Sequence, residues 1–398
     1  MGSRSLIRFV AISAIFLVLT PLARAAEPVV IKVGYLHVAE RKAAISLLDV
    51  LADDDGLAGA QLAMQDNNTT GKFLDQQFVL EEIRLKDTDD VRTAIVALAD
   101  RGIALVITDL PPRMLLDAAD AGQARGVLLF NASAIDDRLR EEECRADMIH
   151  TAPTRSMLAD ALAQYLVWKK WRRWLLVVGS HEKDKLYADA LRRAASRFGA
   201  KIVQERVFED PGGARRTDSG IVQIQRRIPL FTQSAPDHDV LVAADESEVF
   251  AAYLPYRTWD ARPVAGSAGL VAKSWDAAHD QWGANQLQNR FVTMFRRRMT
   301  ALDFQAWLAA RMIGEAAAHG STDPKAMLAY FNSTDFVLAA FKGQRVNLRD
   351  WNLQVRQPIL LTDGRVVVSA SPQEGFLHHS SALDTLGYDR PETRCKLR

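Results

Sequence analysis

The sequence predicts an α/β protein of two lobes, each a mainly parallel sheet flanked by helices, joined by short crossover strands. Three observations carry that prediction. Strand-like and helix-like segments alternate from residue 29 onward, the alternation restarts beyond Pro153, and after Gly269 the texture changes to long amphipathic helices and a hairpin. Such alternation implies parallel strands connected through covering helices, and two runs of it imply two lobes. The length agrees, since 398 residues exceed one ordinary core and suffice for two domains.

The first run opens with Val29–Leu36, an apolar segment read as a buried strand. Leu57–Asn68 follows as a helix with Leu57, Ala60, Leu62 and Met64 near one face. Phe78–Leu85 alternates well enough for a strand. Asp87-Thr88-Asp89-Asp90 then supplies acidic capping groups for a helix through Ala99. Ile103–Ile107 is the next strand, Arg113–Gln123 a short helix, and Val127–Phe130 a further strand.

In the second run, Thr154 or Ser156 opens a helix reaching about Lys170, and Trp174–Val178 is a strand. Asp184–Phe198 is a helix stopped by Gly199, and Lys201–Val207 a strand. The Arg-rich Ile221–Arg227 reads as helical, Val240–Ala243 as a strand, Glu246–Tyr253 as a short helix and Pro263–Ser267 as a strand. Three helices come next, Asn285–Met299, Asp303–His319 and Pro324–Phe331. Pro358–Leu361 and Arg365–Val368, separated by Thr362-Asp363-Gly364, form a hairpin, because Asp-Gly between apolar runs favours the turn.

The N-terminus reads as an export signal. Arg4 and Arg8 precede the apolar run Phe9–Leu19, and Ala23-Arg24-Ala25 offers small residues for cleavage. That run is shorter than the roughly 20 residues a membrane span needs. Residues 1–25 are therefore expected to be removed, leaving a soluble exported chain of 373. A net charge of +1 gives no electrostatic reason for a nucleic-acid partner. The two cysteines, Cys144 and Cys395, suit one disulfide in an oxidising compartment better than a metal site.

Several local sequences, in their order, resemble a known family. Val33–Leu36, GAQLAMQDNN (Gly59–Asn68), LKDTDD (Leu85–Asp90) and ADRGIALVITDL (Ala99–Leu110) look like the first lobe of type I periplasmic binding proteins, the leucine/isoleucine/valine-binding group. HTAPTRSMLADALAQYL (His150–Leu166) resembles the first crossing, and Leu175–Val203 the start of the second lobe. The resemblance spans the mature chain. It implies lobe 1 from 26–150 plus 268–321, and lobe 2 from 151–267 plus 322–398. LVWKKWRRWLL (Leu166–Leu176), Gln357–His378 and ETRCKL (Glu392–Leu397) further resemble one subgroup. These are binding proteins of ABC transporters associated with pyrroloquinoline-quinone-dependent alcohol dehydrogenase systems.

What the resemblance implies is a solute-binding component of an ABC transporter, a monomer that closes on a small molecule and presents it to an inner-membrane permease. Components of the dehydrogenase system would be further partners. The alternative is a sensory or accessory ligand-binding protein that carries no solute. Ligands of open α/β sheets bind at the carboxyl ends of strands. Candidate contacts in lobe 1 are therefore Tyr35, His37, Thr108, Asp109, Arg113, Asn131 and Ser133. In lobe 2 they are His181, Tyr187, Asp245 and Ser267. Family members usually place small hydroxyl residues in the loop occupied here by Thr108–Arg113, where they hold an amino acid's carboxylate. Pro111 and Pro112 lack N–H donors and Asp109 would repel that carboxylate, so an ordinary α-amino acid fits this loop poorly.

Other features have plainer readings. Asp53-Asp54-Asp55 lacks the spaced ligands and turn glycine of a Ca²⁺ loop. His378 and His379, as neighbours, cannot share one face for chelation. Trp168–Trp174 is either an aromatic and basic docking patch or Trp packing with Lys and Arg snorkelling outward. No G-x-S-x-G, H-E-x-x-H or P-loop pattern occurs, so neither catalysis, nor a metal, nor a cofactor is expected.

Overall fold

The computed structural model describes residues 27–38, 52–86, 88–212 and 218–397. The expected signal peptide, and Asp87 of the expected helix cap, lie outside them. The first lobe contains β1 (Val29–Val38), α1 (Leu57–Gly71), β2 (Gln76–Leu85), α2 (Val91–Asp100), β3 (Leu105–Asp109), α3 (Pro112–Gln123), β4 (Leu128–Asn131) and β5 (Met148–His150). Its strands run parallel in the order β2-β1-β3-β4-β5. A strand such as β3 is apolar almost throughout because helices cover both faces of a parallel sheet. Asp90 starts α2 as the sequence predicts, its carboxylate accepting the Arg92 N–H at 3.0 Å.

The second lobe contains α4 (Arg155–Trp168), β6 (Arg173–Gly179), α5 (Glu182–Phe198), β7 (Lys201–Phe208), α6 (Asp218–Thr232), β8 (Val240–Ala244), α7 (Leu254–Arg257) and β9 (Val264–Gly266). Its sheet is also parallel, in the order β7-β6-β8-β9. Thr154 caps α4 by accepting the Met157 N–H at 3.0 Å. The helix expected over Glu246–Tyr253 is displaced to α7, after a 3-10 turn at Ala251–Tyr253. The Asp245 carboxylate accepts the N–H groups of Val249, Phe250 and Ala251 at 2.9, 2.7 and 2.7 Å, so those amides are spent and cannot start the helix earlier.

The remaining chain is β10 (Val271–Lys273), α8 (Ala284–Phe295), α9 (Ala301–Ala318), α10 (Pro324–Phe331), β11 (Leu338–Ala339), β12 (Arg345–Leu348), β13 (Val355–Arg356), β14 (Ile359–Thr362) and β15 (Val367–Ser371). α8 stops short of Met299 because Arg296 turns left-handed, with φ 60°. The packing moves two boundaries. Met327, Phe331, Phe336, Leu338, Val346 and Val355 belong to the core under the first sheet, so 324–355 lies with the first lobe and not with the second as expected. Aromatic packing explains the placement: Phe331 meets Phe130 of β4 and Phe336 edge-on, at ring separations of 6.1 and 5.0 Å. Conversely, Leu270 and Ala272 pack with α4 and α5 in the second lobe.

α1 and α9 approach at Gly59, where an added Cβ would sit 1.8 Å from the Asp303 carbonyl oxygen. Only backbone movement relieves that clash. Gly59→Ala is therefore expected to destabilise the chain by about 3 kcal/mol, the upper end of overpacking penalties, read as a lower urea midpoint with unchanged slope.

The chain passes between lobes at 150–156, 273–274 and 356–358; Lys342 bonds the last two passages directly and reaches the first through Gln357. Lys342, fully buried in the first lobe, donates from Nζ to the carbonyls of Ser274 at 3.0 Å and Pro358 at 2.8 Å, and to Gln357 Oε1 at 2.6 Å. Gln357 Nε2 in turn donates to the Thr151 carbonyl at 2.7 Å. The predicted Cys144–Cys395 disulfide is present, with Cα atoms 5.7 Å apart. It ties the tail, which leaves the second lobe at Leu386, to the first lobe between β4 and β5.

Candidate functional site

The carboxyl ends of the two sheets converge on Arg155, the first residue of α4. Its Nη1 donates to Asp136 Oδ2 at 2.8 Å, in the segment after β4. Its Nε and Nη2 donate to Glu246 Oε1 and Oε2, each at 2.8 Å, in the segment after β8. The guanidinium thus lies between a carboxylate of each lobe, and the fork-to-fork pairing with Glu246 is the stronger geometry. Burial raises the Glu246 carboxyl above its ordinary value, against the pull of Arg155. Burial works against the charge of Arg155 too, but its two carboxylate partners hold it firmly protonated. Arg140 supports the cluster from below, fully buried, donating to the carbonyls of Ala134 and Ala152 at 2.8 and 2.7 Å.

The sequence-predicted residues fall into two groups. Those turned into the structure are spent on it. Tyr35 is buried in the first-lobe core, its phenol raised by burial and then by Asp109 and other nearby carboxylates. His37 Nε2 pairs with Glu82 Oε1 at 3.0 Å. The Thr108 hydroxyl donates to the Phe130 carbonyl at 3.2 Å. Asn131 closes its own turn, accepting the Ala134 N–H at 2.9 Å and lying 3.1 Å from His150 Nδ1. Asp245 caps the turn already described. Tyr187 packs in the second-lobe core, its phenol raised by burial and by the Glu246 charge.

The others lie at or just beyond the carboxyl ends of strands. Asp109 ends β3 half-buried, and Arg113 is exposed in the first turn of α3. Ser133 is half-buried after β4. His181 is exposed, with Nε2 2.8 Å from Asp210 Oδ2. Ser267 accepts the Asp245 N–H at 2.8 Å. Pro111 and Pro112 stand at the start of α3, so the first backbone donors of that helix are shifted to Arg113 and Met114. Sequence reading passed over Asp136, Arg155 and Glu246 as a set. Of the three, the strand-end position of Glu246 beside Asp245 was the signal, and the partners of Arg155 are 19 and 91 residues away.

Asp136, Arg155 and Glu246 place charges of both signs between the two lobes. Among the described residues, no group of three or more His, Cys, Asp or Glu side chains is placed to hold a metal ion. No described helix is long and apolar enough to cross a membrane.

Residues 51–225 match the sequence family described as periplasmic binding protein. No curated protein matches the chain. Among solved structures, the chain is similar to a branched chain amino acid ABC transporter periplasmic ligand-binding protein from Burkholderia xenovorans. That match has 17% identity and a TM-score of 0.68, and covers 92% of this chain and 99% of the other. An ABC transporter solute binding protein from R. palustris, in complex with benzoate, matches at 11% identity and TM-score 0.65, over 92% and 100% of the two chains. A branched-chain amino acid transporter substrate binding protein from Streptococcus pneumoniae, in complex with isoleucine, matches at 14% identity and TM-score 0.63, over 86% and 98%. The fold is the two-lobed α/β fold of type I periplasmic binding proteins.

Proposed function

We propose that this chain is the solute-binding component of an ABC importer, acting in the periplasm after removal of its leader and closing its lobes on a small organic acid. The observation that carries this reading is Arg155, held by Asp136 of one lobe and Glu246 of the other. It brings the carboxyl ends of both sheets, where ligands of such sheets bind, to opposite sides of one cleft. The sequence-family match, and neighbours that bind isoleucine or benzoate, support a transport role. The ligand is inferred from the cleft. The Pro111-Pro112 helix start and Asp109 disfavour an α-amino acid's carboxylate, whereas exposed Arg113 has no carboxylate within ion-pair distance among the described residues. A carboxylate met by Arg113, on a molecule without an α-ammonium group, satisfies both. The link to quinone-dependent alcohol oxidation rests on the likeness of 166–176, 357–378 and 392–397 to that subgroup. It makes alcohol-derived acids and the quinone the first ligands to test.

The test uses the chain from Ala26, unfolded and refolded to strip co-purified ligand. Benzoate, short aliphatic acids, pyrroloquinoline quinone and branched-chain amino acids are screened by melting temperature and by radius of gyration from X-ray scattering. A ligand at 100 times its Kd should add about 2.7 kcal/mol, and Arg113→Gln should abolish the response. If no compound changes either readout, the receptor reading fails. If only an α-amino acid does, the ligand assignment fails.

A further inference from the structure

A groove of about 400 Å³ opens between the lobes, sharing no residue with the strand-end loops. Gln288 and Val292 of α8 and Arg298 line it from the first lobe; Gly364 and Arg365, at the tip of the β14–β15 hairpin, line it from the second. Gln288 is only 8% exposed, yet neither its amide oxygen nor its amide nitrogen has a hydrogen-bond partner. Native structures seldom leave a buried amide in that condition, and such a group invites a ligand as explanation. It lines the groove, and so do two guanidinium groups.

The charges around the groove are lopsided. Arg298 and Arg365 are exposed, and neither has a carboxylate within ion-pair distance among the described residues. Nearby carboxylates are engaged elsewhere. Asp363 accepts the N–H groups of Arg365 and Val366 at 2.8 and 2.9 Å. Asp276 accepts the Ala278 N–H at 2.9 Å and lies 3.5 Å from Lys273. Two forked cations facing a concavity are the arrangement that recognises a planar or tetrahedral oxyanion.

We propose that this groove is a second binding site, for a small carboxylate- or phosphate-bearing molecule. Arg298 and Arg365 would grip the oxyanion while the Gln288 amide donates to it from the buried end. Because Arg298 belongs to one lobe and Arg365 to the other, the bound molecule joins the lobes at a place remote from Arg155.

The experiment is isothermal titration calorimetry of the mature chain carrying Arg113→Gln, which silences the other cleft, with inorganic phosphate and, separately, with succinate. At least one titration is expected to saturate in the millimolar range or below. Arg298→Gln with Arg365→Gln, both exposed positions, should weaken it tenfold or more, and Gln288→Leu should do likewise without lowering the melting temperature. Binding of phosphate alone, of succinate alone or of both supports the site and sorts its ligand chemistry. The proposal is overturned by no heat in either titration or by binding that survives the double arginine variant.

Discussion

Replacing both Cys144 and Cys395 by serine is expected to cost up to about 5 kcal/mol of unfolding free energy, the loop-closure contribution of so long a ring. The bond closes a loop of chain spanning a separation of 251 residues. Part of the tail's attachment survives without it. The Glu141 carboxylate accepts the Arg394 N–H at 2.6 Å, and Arg193 Nη2 reaches Glu392 Oε2 at 3.1 Å. These local bonds hold the tail in the native state and do nothing to restrict the unfolded chain, so they cannot replace the covalent term. Guanidinium unfolding of the oxidised protein against the double variant measures the difference. A loss below about 1 kcal/mol would mean that the unfolded chain is already compact there, or that the bond distorts its surroundings.

Arg155→Met should cost about 3–5 kcal/mol, the usual penalty for removing one partner of a buried ion pair. The reason is what remains: Asp136 and Glu246, the latter 19% exposed at its side chain, would face each other across the cleft with no cation between them. The same reasoning predicts rescue. Adding Asp136→Asn and Glu246→Gln to Arg155→Met removes the stranded charges and should recover most of the loss. Urea midpoints of the single and triple variants decide the matter. If the triple variant is no better than the single one, Arg155 stabilises chiefly through packing.

The alternation of strands and helices was legible because strands of a covered parallel sheet are apolar on both faces. The segments at 103–107 and 174–178 announce themselves in that way. β10, β11 and β13 were not legible, being two or three residues long, too short to show any period. The lobe assignment of 324–355 could not be read either. It is decided by Phe331 finding Phe130, with Phe336 packed on Phe331, a contact some two hundred residues away in sequence that no local pattern encodes.

Site residues divide along the same line. Strand-end position marked Asp245, in the loop after β8, but position says nothing of where a carboxylate spends its lone pairs, and three backbone amides take them. Asp136, Arg155 and Glu246 are each ordinary in sequence. They become a site only when two separate sheets bring them together.

The Lys342 clasp bears on how the lobes can move. Two passages of chain meet on one buried amino group and Gln357 ties the third to it, which makes a pin joint and not a ribbon: shearing the lobes past each other would part its bonds. Every acceptor there is a carbonyl oxygen, and the nitrogen is sealed from solvent. Dissolved ions, which weaken exposed charge pairs, have no access to such a joint. The axis of opening therefore stays fixed while the ionic strength of the surrounding medium rises and falls.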